Sequence, residues 1–463
     1  VGVLERFFKV HERGSSYIRE ARGGLATFFT MAYILVLNPI ILGGAKDKFG
    51  HVLSHTQLVT STAVVAGVMT LIMGVGGNLP LAIAAGLGLN GVVAFTLAPT
   101  MSWPDAMGLV VLEGLGICLL VATGLRQKIM DAIPLAMKKA IGVGIGLFVA
   151  LIGLVDAGFV GKGTGTPVTL GTDGTLKGWP MFVFCAGLLL TLCLLVRRVP
   201  GGLLIAIVST TVLAIVVNKA ATIPDAAWGT IVPKVPHGVV AHPDFGLLGH
   251  FSLFGGFHHA GVMTAVVFVF TLILADFFDA MGTIIGVSGE AGLLDEKGRL
   301  PGIGRVLFID GLAASAGGAG SASSNTCFVE SAAGVGEGAR TGLANILTGT
   351  LLFLAAFLTP VLTIVPSQAA APALVAVGFL MMTQVKDINW DDWEIAVPAF
   401  LTIALMPFTY SITNGIGAGF ILFCVLKVAL GKARDVNWLM WIVAAFFVVY
   451  FALDPIKQAL GIE

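Results

Sequence analysis

Stretches of about twenty apolar residues recur from Gly24 to Leu453, each long enough as a helix to cross the hydrocarbon core of a bilayer. Lipid offers backbone N–H and C=O groups no partner, so a spanning chain must be helical or closed into a barrel. The runs are continuous rather than alternating, and continuity selects helices. Composition agrees: 57% of the 463 residues are hydrophobic and 11% charged, where a soluble domain carries about 25% charged. An all-α polytopic membrane protein follows. Net charge is zero, which gives no reason to expect nucleic acid as a partner.

The opening stretch, Val1 to Arg22, is polar and basic, without the short apolar core and cleavage site of a removable leader. Its VLERFFKV piece is expected to lie along the membrane surface. Hydropathy, broken at Gly, Pro and charged residues, places spans near 24–43, 56–76, 80–99, 105–125, 138–158, 181–197 and 200–217. After a polar loop, 218–260, a second set falls near 261–284, 303–317, 320–336, 342–364, 369–384, 394–411 and 413–431. A further apolar run, Trp438 to Leu453, either crosses the membrane or lies at its interface. Short cytoplasmic loops collect Lys and Arg. Arg6, Lys9, Arg13, Arg19 and Arg22, then Arg126, Lys128, Lys138 and Lys139, then Arg197 and Arg198, Lys297 and Arg299, and Lys432 and Arg434 all fall on one side of this map. The N-terminus is therefore predicted to be cytoplasmic, in the cell membrane.

Two sets of seven spans would enter the membrane in opposite directions, because seven is odd. Trp179 precedes Gly201 by the same interval as Trp393 precedes Gly415, an offset of 214 residues. That pattern suggests the inverted repeat of many secondary transporters; chance similarity between apolar sequences is the competing reading. The third members of the two sets weigh against chance. LPLAIAAGLGLNGVVAF carries Gly86, Gly88 and Gly91, and GSASSNTCFVESAAGVGEG is too small and polar for an ordinary span. Unwound backbone at membrane depth survives only where protein or a watered cavity satisfies it. Paired interrupted segments point to a substrate site at the midplane, although small residues also serve close helix packing.

The polar residues inside the spans are acidic: Glu113, Asp276, Asp279, Asp310 and Glu330, with no Lys or Arg mid-span. Such residues are costly in a bilayer and mark ion or substrate routes. Asp276 and Asp279, three apart, share a helix face, and two like charges in a low dielectric resist being ionised together. A carboxylate that gains and loses a proton can couple transport to a proton gradient. Asp310, near a span end, reads rather as an acceptor for exposed backbone, and Glu113 as either interhelical glue or a proton-linked group. Acidic and amide groups without basic ones disfavour an anion and suit a cation or a neutral, donor-rich molecule. Asn90 offers amide donors and a carbonyl acceptor, and Phe328 beside Glu330 offers a flat face. A planar heterocycle with adjacent N–H and N fits that equipment. The five cysteines lie in apolar segments, which argues against a disulfide framework or a metal cluster. His250, His258 and His259 cluster only at the mouth of the eighth span, and no metal, cofactor or enzyme chemistry is expected.

FFTMAYILVLNP in the first span, GLGLN in the third, ADFFDAMGT in the eighth and FVESAAGVGEGARTG in the tenth resemble the azaguanine-type purine permeases of the nucleobase-cation symporter 2 superfamily. The resemblance runs essentially the whole chain, and its most specific part is the tenth-span string. It implies about 14 transmembrane helices in two inverted seven-helix repeats, with interrupted third and tenth spans. A core domain, 24–125 with 261–364, would hold the purine, and a gate domain, 126–217 with 365–431, would form a homodimer. Residues 1–23, 218–260 and 432–463 would be the cytoplasmic N-terminal segment, the extracellular loop and the C-terminal segment. Carried over residue by residue, the eighth-span acid is Asp276, its companion Asp279, the tenth-span acid Glu330 and the third-span amide Asn90; the expected substrate contacts are Asp276, Glu330, Asn90, Phe328 and Val329, and the expected proton-coupling groups Asp279 and Glu113. Where the family usually shows a threonine-rich string before its tenth-span acid, this chain has SASSNTCFVE, a departure that bears on purine preference. The expected activity is proton-coupled uptake of adenine, guanine or hypoxanthine by alternating access. Xanthine, uracil or another purine-like compound is the nearest alternative, and a channel a more distant one.

Overall fold

The structure, a computed structural model, describes residues 3–124, 133–295 and 300–452 apart from Thr164, Asp173, Thr222, Thr230 and His237. Arg126, Lys128, Lys297 and Arg299, used in the charge map, lie outside the described residues.

A short helix, α1 (Val3–Phe8), leaves Leu4 and Phe7 exposed. The first span runs over α2 (Tyr17–Met31) and α3 (Ile34–Gly44) and so starts earlier than hydropathy placed it. Ser16 caps it by accepting the Arg19 N–H, and that cap, rather than the first apolar residue, sets the boundary. Every residue of α3 from Ile34 to Leu42 is buried, as expected of a helix that is apolar all round. Helix α4 (His55–Ile72) continues to Gly77, strand β1 (Ile83–Ala85) follows, and α5 (Leu87–Val92) continues in tighter and looser turns to Thr100. Then come α6 (Trp103–Ala122), α7 (Leu135–Asp156), a small hairpin of β2 (Val160–Gly161) and β3 (Thr169–Leu170), α8 (Trp179–Val196) and α9 (Gly202–Ala221).

After the polar loop, the second half repeats the plan. It contains α10 (Gly255–His259), α11 (Val262–Glu290), α12 (Ile303–Ala319), strand β4 (Asn325–Cys327) and α13 (Ser331–Gly336). It continues with α14 (Leu343–Leu354), α15 (Thr359–Leu362), α16 (Ser367–Met382), α17 (Trp393–Phe408) and α18 (Ile412–Ala429). Among the described residues, ten helices are long and apolar enough to cross a membrane. The leftover apolar run forms α19 (Trp438–Phe451), 14 residues packed along α18. At 1.5 Å per residue it spans roughly 21 Å, short of the roughly 30 Å hydrocarbon core.

The third and tenth segments are both broken, and each satisfies the other. Strands β1 and β4 pair antiparallel, Ile83 opposite Cys327 and Ala85 opposite Asn325. Gly86 N–H to Ser324 C=O and Phe328 N–H to Ala82 C=O, both 2.9 Å, extend the ladder. Besides the small β2–β3 hairpin, the all-helical expectation is thus modified at the two broken segments, because unwound backbone at membrane depth needs a protein partner.

Packing falls into two groups. One holds α2, α3, α4, α6, α11, α12 and α14 around the two broken segments; the other holds α7, α8, α9 and α16 to α19. Glycine allows the closest crossings. A Cβ at Gly67 on α4 would lie 2.7 Å from the backbone N of Phe353 on α14.

Candidate functional site

A cavity of about 500 Å³ lies between the two groups. Helix α11 presents Asp279 and Thr283 to it, the turn into α13 presents Val329 and Glu330, and α16 presents Val377 and Met381. Lys138 and Lys139, near the start of α7, stand at its far edge, where Lys139 pairs with Asp387 at 3.3 Å. A recess of about 80 Å³ shares Asp279 and Glu330 with this cavity and adds Tyr33, Gly86, Gly88, Cys327 and Phe328.

Glu330 owes its position to the break. Strand β4 ends at Cys327 and α13 begins at Ser331, so the carboxylate sits on the turn between them, half-buried. The Tyr33 hydroxyl donates to Glu330 Oε1, and the Thr30 hydroxyl reaches the Glu330 carbonyl at 3.3 Å. An ionised carboxylate is acceptor-only with about four lone-pair sites, so the bond to Tyr33 leaves Oε2 for a ligand. The Tyr33 and Phe328 rings lie 6.5 Å apart and tilted, both buried. Val329 is 59% exposed, its side chain on the cavity wall.

The two aspartates of α11 part company. Asp279 is exposed to the cavity, whereas Asp276 is fully buried, beside the Thr326 side chain. Asp276 lies within electrostatic reach of Asp310 and Glu113. Three residues advance a helix by about 300°, which leaves the side chains roughly 60° apart, enough to send one to the cavity and the other inward. The shared face expected from spacing is therefore not a shared environment. Glu113, also fully buried, accepts from the Ser324 hydroxyl at 2.9 Å. Asp310 accepts the Cys327 N–H at 3.0 Å and faces the Thr326 hydroxyl at 3.4 Å. Strand β4 thus stands between the two acidic sets: Cys327 lines the recess while its backbone is held by Asp310. Asn90, on α5, is fully buried with both amide atoms unpartnered, and the residues lining the cavity and the recess include Gly88 but not Asn90.

Several site residues were not singled out by sequence reasoning. Tyr33 sits in an otherwise apolar run, and its buried hydroxyl, which needs a partner, was the available signal. Glu20 is fully buried in α2 and accepts the N–H groups of Arg340 at 2.8 Å, Ala344 at 3.2 Å and Thr341 at 3.4 Å. Asn78 accepts the Gly342 N–H at 2.9 Å, and Arg22 pairs with Glu337. These contacts fix the end of α13 and the start of α14, and with them the string GEGARTG that follows Glu330. Of the three clustered histidines, His259 lies 2.7 Å from the Asp105 carboxylate. Among the described residues no group of three or more His, Cys, Asp or Glu is arranged to hold a metal.

A family model described as the Permease family matches residues 19–450. The guanine/hypoxanthine permease PbuG of Bacillus subtilis is 38% identical over 457 residues, covering 97% of this chain and 99% of that protein. The adenine permease AdeP of Escherichia coli is 35% identical over 452 residues, covering 97% and 96%. Among solved structures, the transmembrane domain of the cyanobacterial bicarbonate transporter BicA superposes with a TM-score of 0.59 at 15% identity, over 87% of this chain and 96% of that one. At that identity the likeness is one of fold alone.

Proposed function

The chain belongs to the Permease family, and from that premise we propose that it carries purine nucleobases, namely adenine, guanine or hypoxanthine, across the cell membrane. It is a multi-pass transporter and not an enzyme. The observation that carries the reading is Glu330, held by Tyr33 at the tip of a broken helix and turned to a cavity between two helix groups. Every purine base has an N–H on its five-membered ring, which a carboxylate accepts, and a flat face suited to Phe328.

The finer architecture is part of the same proposal. The chain crosses the membrane fourteen times in two inverted repeats. The group around the broken segments, 24–125 with 261–364, is the core that moves; the other, 126–217 with 365–431, is the gate, through which two copies pair. The cavity opens beside Lys138 and Lys139, on the side that the positive-inside rule makes cytoplasmic, so the N-terminus is cytoplasmic and this state is open to the inside. Alternating access follows from the core moving against the gate around a fixed site.

Substrate contacts are assigned to Glu330, Phe328 and Val329, with Asp279 beside them because it faces the cavity. Asp276, Glu113 and Asp310 are assigned to proton coupling because they are buried behind β4, where a ligand does not reach but a proton does. Asn90, with both amide atoms unpartnered, stands ready to meet the base in another state of the cycle. Uptake of radiolabelled hypoxanthine by cells without purine permeases of their own, competed by a panel of bases, tests the reading. Saturable uptake displaced by adenine or guanine supports it; displacement by uracil or xanthine alone moves the substrate class, and unsaturable flux indicates a channel.

A further inference from the structure

A second cavity, of about 470 Å³, lies at the other end of the same pair of helices. The first takes Ile145 from α7 and Val377 from α16; the second takes Asp156 from the last turn of α7 and Gln368 from the first turn of α16. At 1.5 Å per residue, Asp156 stands roughly 16 Å along α7 from Ile145, and Gln368 roughly 13 Å along α16 from Val377. The cavities therefore open towards opposite membrane faces. Ile40 and Gly44 on α3 also line the second cavity, so it too lies between the two helix groups. Between the levels of the two cavities α5 packs closely on α7: a Cβ at Gly91 would lie 3.1 Å from the Phe148 ring and 3.3 Å from Ile152.

The second cavity is chemically equipped. Gln368 is 7% exposed, and its Oε1 has no partner. Asp156 is half-buried, and Ser367 and Lys177 add a hydroxyl and an ammonium to the wall. A carboxylate and an amide carbonyl withdrawn from bulk water are best satisfied by a ligand that brings donors. Lys177 and the Gln368 amide N–H groups supply donors for ring nitrogens or carbonyl oxygens. A mixed donor and acceptor edge is what a nucleobase presents.

We propose that this cavity is an outer reception site for the nucleobase, in which Asp156 and Gln368 engage its N–H edge before it passes to Glu330. The proposal rests on the purine-uptake reading and adds a second stop on the same route. A carboxylate at each end of the route gives the base a comparable partner on both sides of the α5–α7 contact.

The test compares the two directions of transport. Initial rates of labelled hypoxanthine entry are measured in intact cells and in inverted membrane vesicles for the wild type, Asp156→Asn, Gln368→Leu and Glu330→Gln. A lost hydrogen bond to a charged group is worth about 1.5–3 kcal/mol. Asp156→Asn is accordingly expected to raise KM for entry from outside by roughly tenfold, and Gln368→Leu by less, with KM from the inner face unchanged. Glu330→Gln is expected to raise KM from both faces. If Asp156→Asn and Gln368→Leu alter both directions equally, or neither changes outer KM, the reception site is overturned while the purine reading stands. If wild-type cells take up no purine, the purine reading falls with it.

Discussion

The phenol of Tyr33, on the first span, donates its hydrogen to Oε1 of Glu330, 297 residues further along the chain. One bond thus ties the first span to the broken tenth segment, and it occupies one of the two Glu330 carboxylate oxygens.

Tyr33→Phe removes the donor and keeps the ring against Phe328. Glu330 is then free to rotate, and one charge-assisted hydrogen bond of about 1.5–3 kcal/mol is lost. Purine affinity of the purified protein is expected to fall by roughly tenfold or more with expression unchanged, as read by equilibrium binding of labelled base. Unchanged affinity would show that Tyr33 does not orient Glu330 for substrate.

Asp279 lines the cavity and Asp276 is buried away from it, and the proposed division of binding from coupling rests on that difference. Asp279→Asn is expected to weaken binding, because the residue faces the cavity. Asp276→Asn imitates a permanently protonated group behind β4, so counterflow exchange should persist while accumulation driven by a proton gradient is lost. Accumulation by Asp276→Asn at the wild-type level would remove the buried acidic set from the coupling scheme, and insensitivity of the wild type to collapse of the gradient would remove protons altogether.

The breaks in the third and tenth segments were legible in sequence because glycine, serine and alanine runs cannot make a lipid-facing helix, and their pairing through β1 and β4 follows from backbone that needs a partner. Glu330 and Phe328 were legible for the same reason, since they flank the break. Which side of α11 faces the cavity was not, because spacing fixes the angle between Asp276 and Asp279 and says nothing of what lies opposite each. Tyr33 and Glu20 escaped notice because their partners lie about three hundred residues away, a distance at which local pattern carries no information.

Glu20 makes a separate point about stability. Its carboxylate accepts three N–H groups at the entrance to α14, and Glu20→Ala strips them of their acceptor at a cost of about 1–3 kcal/mol for each group left bare. The detergent-solubilised variant is expected to melt well below the wild type, with Glu20→Gln between them. Equal melting of Glu20→Ala and wild type would show that water or a neighbour replaces the carboxylate.

Orientation is tested by single cysteines in a background lacking the five native ones. A membrane-impermeant maleimide should label Val240→Cys, in the exposed loop before α10, from outside intact cells, and should label Arg197→Cys, exposed after α8, only once the cells are opened. The reverse pattern inverts the topology and places the 500 Å³ cavity on the outer face.

The central claim, that the carboxylate on the broken tenth segment holds a purine, is tested most directly by equilibrium binding of labelled guanine, adenine and hypoxanthine to the purified wild type and its Glu330→Gln variant. The account predicts saturable binding to the wild type and a loss of roughly tenfold or more in the variant, the size of a hydrogen bond to a charged group. Equal affinity of the two proteins would contradict it.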